Sequence, residues 1–97
     1  MKRPQAVATT LIDDARVIVT RFDFEPGAET GWHRHGHDYV IVAQSDCAML
    51  LETPEGDKTA DVAAGEAYRR DAGVEHNVIN RGAVAMHFIE IELKEPV

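Results

Sequence analysis

Short runs of β-branched and aromatic residues, each closed within a few positions by glycine, proline or aspartate, fill most of this chain and leave no stretch with a sustained apolar pattern at helical spacing. ARVIVTRFDF (15–24), YVIVAQ (39–44), CAMLLET (47–53), TADVAA (59–64), EAYRR (66–70), HNVIN (76–80) and AVAMHFIEIEL (83–93) share this character. Between them stand Asp13-Asp14, Pro26-Gly27, Pro54-Glu55-Gly56-Asp57, Gly65, Ala72-Gly73 and Arg81-Gly82, residues suited to turns rather than to strand interiors. Many short strands at this spacing predict an all-β sandwich or barrel. A length of 97 residues suits one modest core and not two, so residues 1–97 are expected to form one domain.

Charge and cysteine usage narrow the partners. Seventeen acidic against ten basic side chains give a formal charge of −7, the wrong sign for a phosphate backbone, and nucleic acid is not expected as a partner. Cys47 is the sole cysteine, so no internal disulfide can form, and its apolar setting in QSDCAML makes it a small core residue. The opening MKRPQAVATT has a basic pair without an apolar run of secretory length, and no continuous apolar stretch is long enough to span a membrane. These features together point to the cytoplasm.

Three of the five histidines fall at alternate positions in GWHRHGHDY (31–39). If residues 32–35 are extended, His33 and His35 share a face, close enough for their imidazoles to bind one ion, and His76 in GVEHNVIN offers a third donor from another strand. In the last strand, alternation groups His87 with Ile89, Ile91 and Leu93. Those aliphatic residues predict that this set faces the core and that His87 reaches a pocket, while Phe88, Glu90 and Glu92 point the other way. Arg69 and Arg70 lie on opposite faces of their strand, so one of them could turn inward to a substrate carboxylate. Glu75 and Trp32 alternate away from the histidines, Trp32 toward another sheet or subunit.

The glycine and histidine spacings have a precedent. Gly27, five residues, His33, one residue, His35 resembles the first motif of the cupin superfamily, and Gly65, five residues, Asp71-Ala72-Gly73, two residues, His76, three residues, Asn80 resembles the second. One fixed position departs, Asp71 standing where the family has proline, and both residues suit a turn. GWHRHGHDYVIV, AGVEHNVIN and IEIELK are most similar to short single-domain bacterial cupins associated with β-alanine degradation.

That resemblance implies a double-stranded β-helix, or jelly-roll barrel, with one divalent transition metal ion (zinc, iron, nickel or manganese) held by His33, His35 and His76. The family's glutamate ligand has no direct counterpart, since ungapped alignment places Tyr39 there. Asp38 is the expected fourth ligand, because a carboxylate binds without giving up a costly proton whereas a phenol must lose one. His37 then serves as an alternate ligand or pocket base and Tyr39 as a hydrogen-bond donor to bound substrate. Three histidines with water remain an alternative shell. A small-molecule substrate or ligand is implied, with a metal-dependent dioxygenase, isomerase or hydrolase as one reading and a non-catalytic binding or sensing cupin with a structural metal as the other. A barrel this short exposes strand edges, so a homodimer through the N-terminal strands or a sheet face is expected.

Overall fold

In the computed structural model, which describes residues 2–94, the chain forms nine strands: β1 (Val7–Asp13), β2 (Val17–Phe24), β3 (His33–Arg34), β4 (Asp38–Ala43), β5 (Cys47–Thr53), β6 (Gly56–Val62), β7 (Ala67–Arg70), β8 (Glu75–Asn80) and β9 (Met86–Leu93). They pair antiparallel into a five-stranded sheet of order β1-β2-β9-β4-β7 and a four-stranded sheet of order β3-β8-β5-β6. The all-β architecture expected from the turn spacing, and the jelly roll implied by the family resemblance, are the fold observed. Among the described residues no helix is long and apolar enough to cross a membrane.

Alternation builds the core between the sheets. In β4, Tyr39, Ile41 and Ala43 point inward and are buried, while Asp38, Val40 and Val42 point outward. Phe24, Met49, Val78, Met86 and Phe88 complete the interior, and the rings of Phe22, Phe24 and Phe88 pack with centroids 5.3–6.3 Å apart. Cys47 is 2% exposed and belongs to this core, as its apolar setting implied.

β9 corrects one expectation. Its interior face carries Met86, Phe88 and Glu90, so His87, Ile89, Ile91 and Leu93 lie on the outer face of the five-stranded sheet. Both faces of this strand are largely apolar, and the aliphatic set that suggested the core is instead the outward one. It continues across neighbouring strands through Val17 and Val19 of β2 and Val40 and Val42 of β4, their register partners.

β8 is covered on both sides. His76, Val78 and Asn80 face the interior, and Asn77 and Ile79 are shielded by residues 4–6 and 28–30, whose backbone bonds include Ala6 N to Glu29 O and Thr30 N to Val78 O, both 2.8–2.9 Å. Asn80, 1% exposed, ties the turns together at the end of the strand. Its Nδ2 donates to the carbonyls of Phe24, Glu25 and Val84, and its Oδ1 accepts from the Gly82 amide. Gly27, at φ +80°, donates to the Asn80 carbonyl at 2.9 Å. The glycine and asparagine of the two motifs thus fasten one turn to the other.

Candidate metal centre

The short β3 pairs with β8 so that His33 lies directly opposite His76. His35 follows just beyond the strand, where two backbone bonds clamp it to the next turn: its amide donates to Val74 O at 2.9 Å and its carbonyl accepts from Gly73 N at 2.8 Å. Gly73 holds φ +97°, a conformation that side-chain-bearing residues rarely adopt, which lets its amide face the His35 carbonyl. H-x-H on a strand and a histidine across the ladder therefore converge by register.

The convergence is close. His33 Nε2 lies 3.0 Å from His35 Nε2, which lies 3.1 Å from His76 Nε2, and the three rings meet nearly edge to face. On its other side, His33 Nδ1 donates to the Gly31 carbonyl at 2.9 Å, which leaves the lone pair on Nε2. Burial, then the charge of His33 and of His76, drives the pKa of His35 down to about 3. Burial, then His33 and Arg70, drives His76 down to about 4. Both rings are neutral at physiological pH, the form that binds metals.

The donor set fits a transition metal ion. With metal–nitrogen bonds of about 2.1 Å, two ligands at a right angle stand about 3.0 Å apart and two at the tetrahedral angle about 3.4 Å. Separations of 3.0 and 3.1 Å match neighbouring corners of an octahedron. Imidazole donors suit zinc, iron, nickel and copper better than calcium or magnesium.

Of the other anticipated site residues, only Tyr39 reaches the histidines. Its ring, 2% exposed, stacks on His35 with centroids 3.9 Å apart and planes 23° from parallel. Burial raises its phenol further above the ordinary value, so it is a poor anionic ligand. Asp38 lies on the opposite face of β4, where Oδ1 accepts from Ala72 N at 2.8 Å and Oδ2 accepts from Arg69 at 3.3 Å. Period-two alternation thus separates it from the histidines, and its carboxylate holds a turn instead. His37 sits half-buried in the β3–β4 turn and makes no bond to the cluster among the described residues. His87 faces outward and pairs through Nδ1 with Asp23 at 2.6 Å, so it is not a pocket residue.

Glu90 and Glu92 went unrecognised in the sequence. The carboxylates of both approach His35, the three groups offering atoms all within 4.8 Å of one another. Glu90 is 7% exposed, and burial, reinforced by Glu92 alongside, pushes its pKa up to about 8. A glutamate at the parity of Met86 and Phe88 was the available signal. The three histidines, Tyr39 and Glu90 border a cavity of about 20 Å³, room for one water-sized occupant, and an open cleft shares its Phe22, Thr30, His33, His35 and Glu90 walls and adds Arg34 and Glu92. A separate, larger cleft beside Cys47, Val84 and Met86 contains no histidine.

A two-sheet antiparallel barrel with three converging histidines is the architecture of a cupin domain, and the cupin domain family matches residues 20–92; the chain belongs to that family. It is 62% identical over 92 residues to the beta-alanine degradation protein BauB of Pseudomonas aeruginosa, covering 95% of this chain and 97% of that one. The crystal structure of a cupin domain from Bordetella pertussis superposes with a TM-score of 0.95 at 53% identity, covering 98% of this chain and 99% of the other. The polyketide cyclase RemF from Streptomyces resistomycificus shares the fold at a TM-score of 0.73 and 24% identity, over 98% of this chain and 71% of its own.

Proposed function

We propose that this protein is a metal-dependent cupin acting on a small polar compound in amino-acid catabolism, with β-alanine degradation as its context. The carrying observation is that His35 Nε2 lies 3.0 Å from His33 Nε2 and 3.1 Å from His76 Nε2. His33, His35 and His76 would hold one divalent transition metal ion, and the high identity to BauB supports the catabolic setting. A carboxylate contribution, anticipated from Asp38, would come instead from Glu90 or Glu92, which approach His35 from β9 in a group separate from that of the three histidines. A bound ion of this kind supplies Lewis-acid or oxygen chemistry, according to the element. The protein's own groups orient and enclose: Gly31 fixes the His33 tautomer, Tyr39 braces the His35 ring, and the small cavity keeps all but the reacting end of a ligand outside.

Two copies are proposed to associate through the outer face of the five-stranded sheet, where Val19, Val40, Val42, Ile89 and Ile91 form an apolar surface. A cytoplasmic location is consistent with the lone buried thiol.

Elemental analysis of protein purified without a histidine tag tests the metal assignment. A stoichiometric transition metal in the parent and its loss in His76→Ala support it; metal-free parent that takes up no zinc, iron, nickel or manganese overturns it. Substrate screening before and after chelation then separates enzyme from binding module. If chelation lowers only the melting temperature and no metal form turns over any substrate, the ion is structural.

A further inference from the structure

In a chain of net charge −7, basic side chains have many acidic neighbours available. Arg3, Arg21, Arg69, Arg81 and Lys94 each lie within 4.0 Å of a carboxylate. Arg34, Lys58 and Arg70 have no such neighbour among the described residues, and all three line one cleft of about 610 Å³ whose wall includes His76. That volume is in the range of small-molecule sites.

Strand parity explains why they meet. Ala60 and Val62 pack against the core, so Lys58 at the same parity of β6 faces inward; Tyr68 does likewise, so Arg70 faces inward from β7. Val78 places His76 on the inner face of β8. Three strands therefore bring a lysine, an arginine and an imidazole to the same mouth. The Arg70 guanidinium lies 5.2 Å from the centroid of the Tyr68 ring, a cation–π contact that steadies it and leaves its N–H groups available. Arg34 reaches across Gly73 on the rim. Glu55 and Glu75 belong to the same cleft, but Glu75 Oε2 already accepts from Trp32 Nε1 at 2.9 Å.

We propose that Arg70 and Lys58, with Arg34 on the rim, form an oxyanion-binding site beside His76, and that the ligand met there is a small organic anion carrying a carboxylate or phosphate. Of the two inward possibilities at positions 69 and 70, this assigns the role to Arg70, because Arg69 is bound to Asp38 and Asp71 on the outside. The inference rests on the proposed metal centre for its functional meaning, since it names the class of compound that centre would meet. A planar guanidinium recognises either oxyanion through paired N–H donors, and Lys58 adds charge without demanding geometry.

Calorimetric titration with succinate and, separately, with inorganic phosphate tests this at constant ionic strength, on metal-stripped and on zinc-loaded protein. Saturable binding of either anion is expected, weakened about tenfold in Arg70→Gln and in Lys58→Gln, with Arg70→Lys intermediate; zinc affinity, read by competition with a chromophoric chelator, is unchanged in Arg70→Lys, which keeps the charge beside His76. Binding of succinate alone identifies carboxylates as the class, and binding of phosphate alone identifies phosphate compounds. Anion binding that depends on Arg70 in a protein that takes up no zinc supports this site while the metal reading fails. The proposal is overturned if neither anion saturates the parent in either form, or if both glutamine variants bind within twofold of the parent.

Discussion

Lowering the pH of chelator-stripped protein from about 6.5 to about 5 probes the buried imidazoles. His35 and His76 are 6% and 8% exposed, and their depressed pKa values of about 3 and about 4 keep both neutral in the folded chain across this window. The unfolded chain protonates both below 6.5, the ordinary histidine value. Stability carried by a depressed group is whole above its unfolded value and is lost as pH falls, at about 1.36 kcal/mol per unit for each proton. Each histidine is already half protonated in the unfolded chain at pH 6.5, so over 1.5 units the two together would remove about 3 kcal/mol. Glu90 acts in the opposite sense. Its folded value of about 8 lies above the window and the ordinary glutamate value of 4.5 below it, so the folded chain holds a proton that the unfolded chain releases. That single group restores about 2 kcal/mol over the same interval, leaving a net loss of about 1 kcal/mol. Asp14, Asp23 and Glu29 are shifted downward and titrate below the window. Urea unfolding followed by circular dichroism at both pH values reads the difference. Glu90→Gln removes the offset, so its loss should be more than twice that of the parent, near 3 kcal/mol. Unchanged parent stability, or equal losses in parent and variant, would refute this account of the site's electrostatics.

Three further outcomes are expected. Asp38→Ala should leave zinc affinity within about twofold while costing about 1 kcal/mol in urea unfolding, because its carboxylate holds the Ala72 amide and not the histidine cluster. Asn80→Ala should cost about 3 kcal/mol by the same assay, since three carbonyls and the Gly82 amide lose their partner in a site that is 1% exposed. Ile89→Glu, on the outer face of the five-stranded sheet, should convert the proposed dimer to a monomer in sedimentation velocity without changing metal content, and a parent of single-chain mass would refute that association.

Most of the barrel could be read from the chain because its turns are written in glycine, proline and aspartate, and because strands such as β4 alternate cleanly between Tyr39, Ile41 and Ala43 inside and Asp38, Val40 and Val42 outside. β1 was missed for a physical reason. VATTLID is mostly exposed and carries no burial alternation to detect. The face of β9 was misassigned because Met86 and Phe88 at one parity compete with Ile89 and Ile91 at the other, and aliphatic residues on an outer sheet surface look like core. That inversion displaced His87 and concealed Glu90 together. His33, His35 and His76 were legible as a group through motif spacing, whereas the approach of Glu90 to His35 depends on how the two sheets face each other, which strand-by-strand patterning does not encode.

His33 and His76 meet only when β3 is zipped to β8, His35 is positioned by the turn at Gly73, and Glu90 arrives from the opposing sheet. No contiguous peptide of this chain carries the assembled site, so unfolding would leave only the weaker affinity of the HRHGH run at 33–37. An ion captured there would add RT ln(1 + [L]/Kd) to the whole barrel. The cell's supply of that element would then govern how long each molecule survives proteolysis, apart from any chemistry the ion performs.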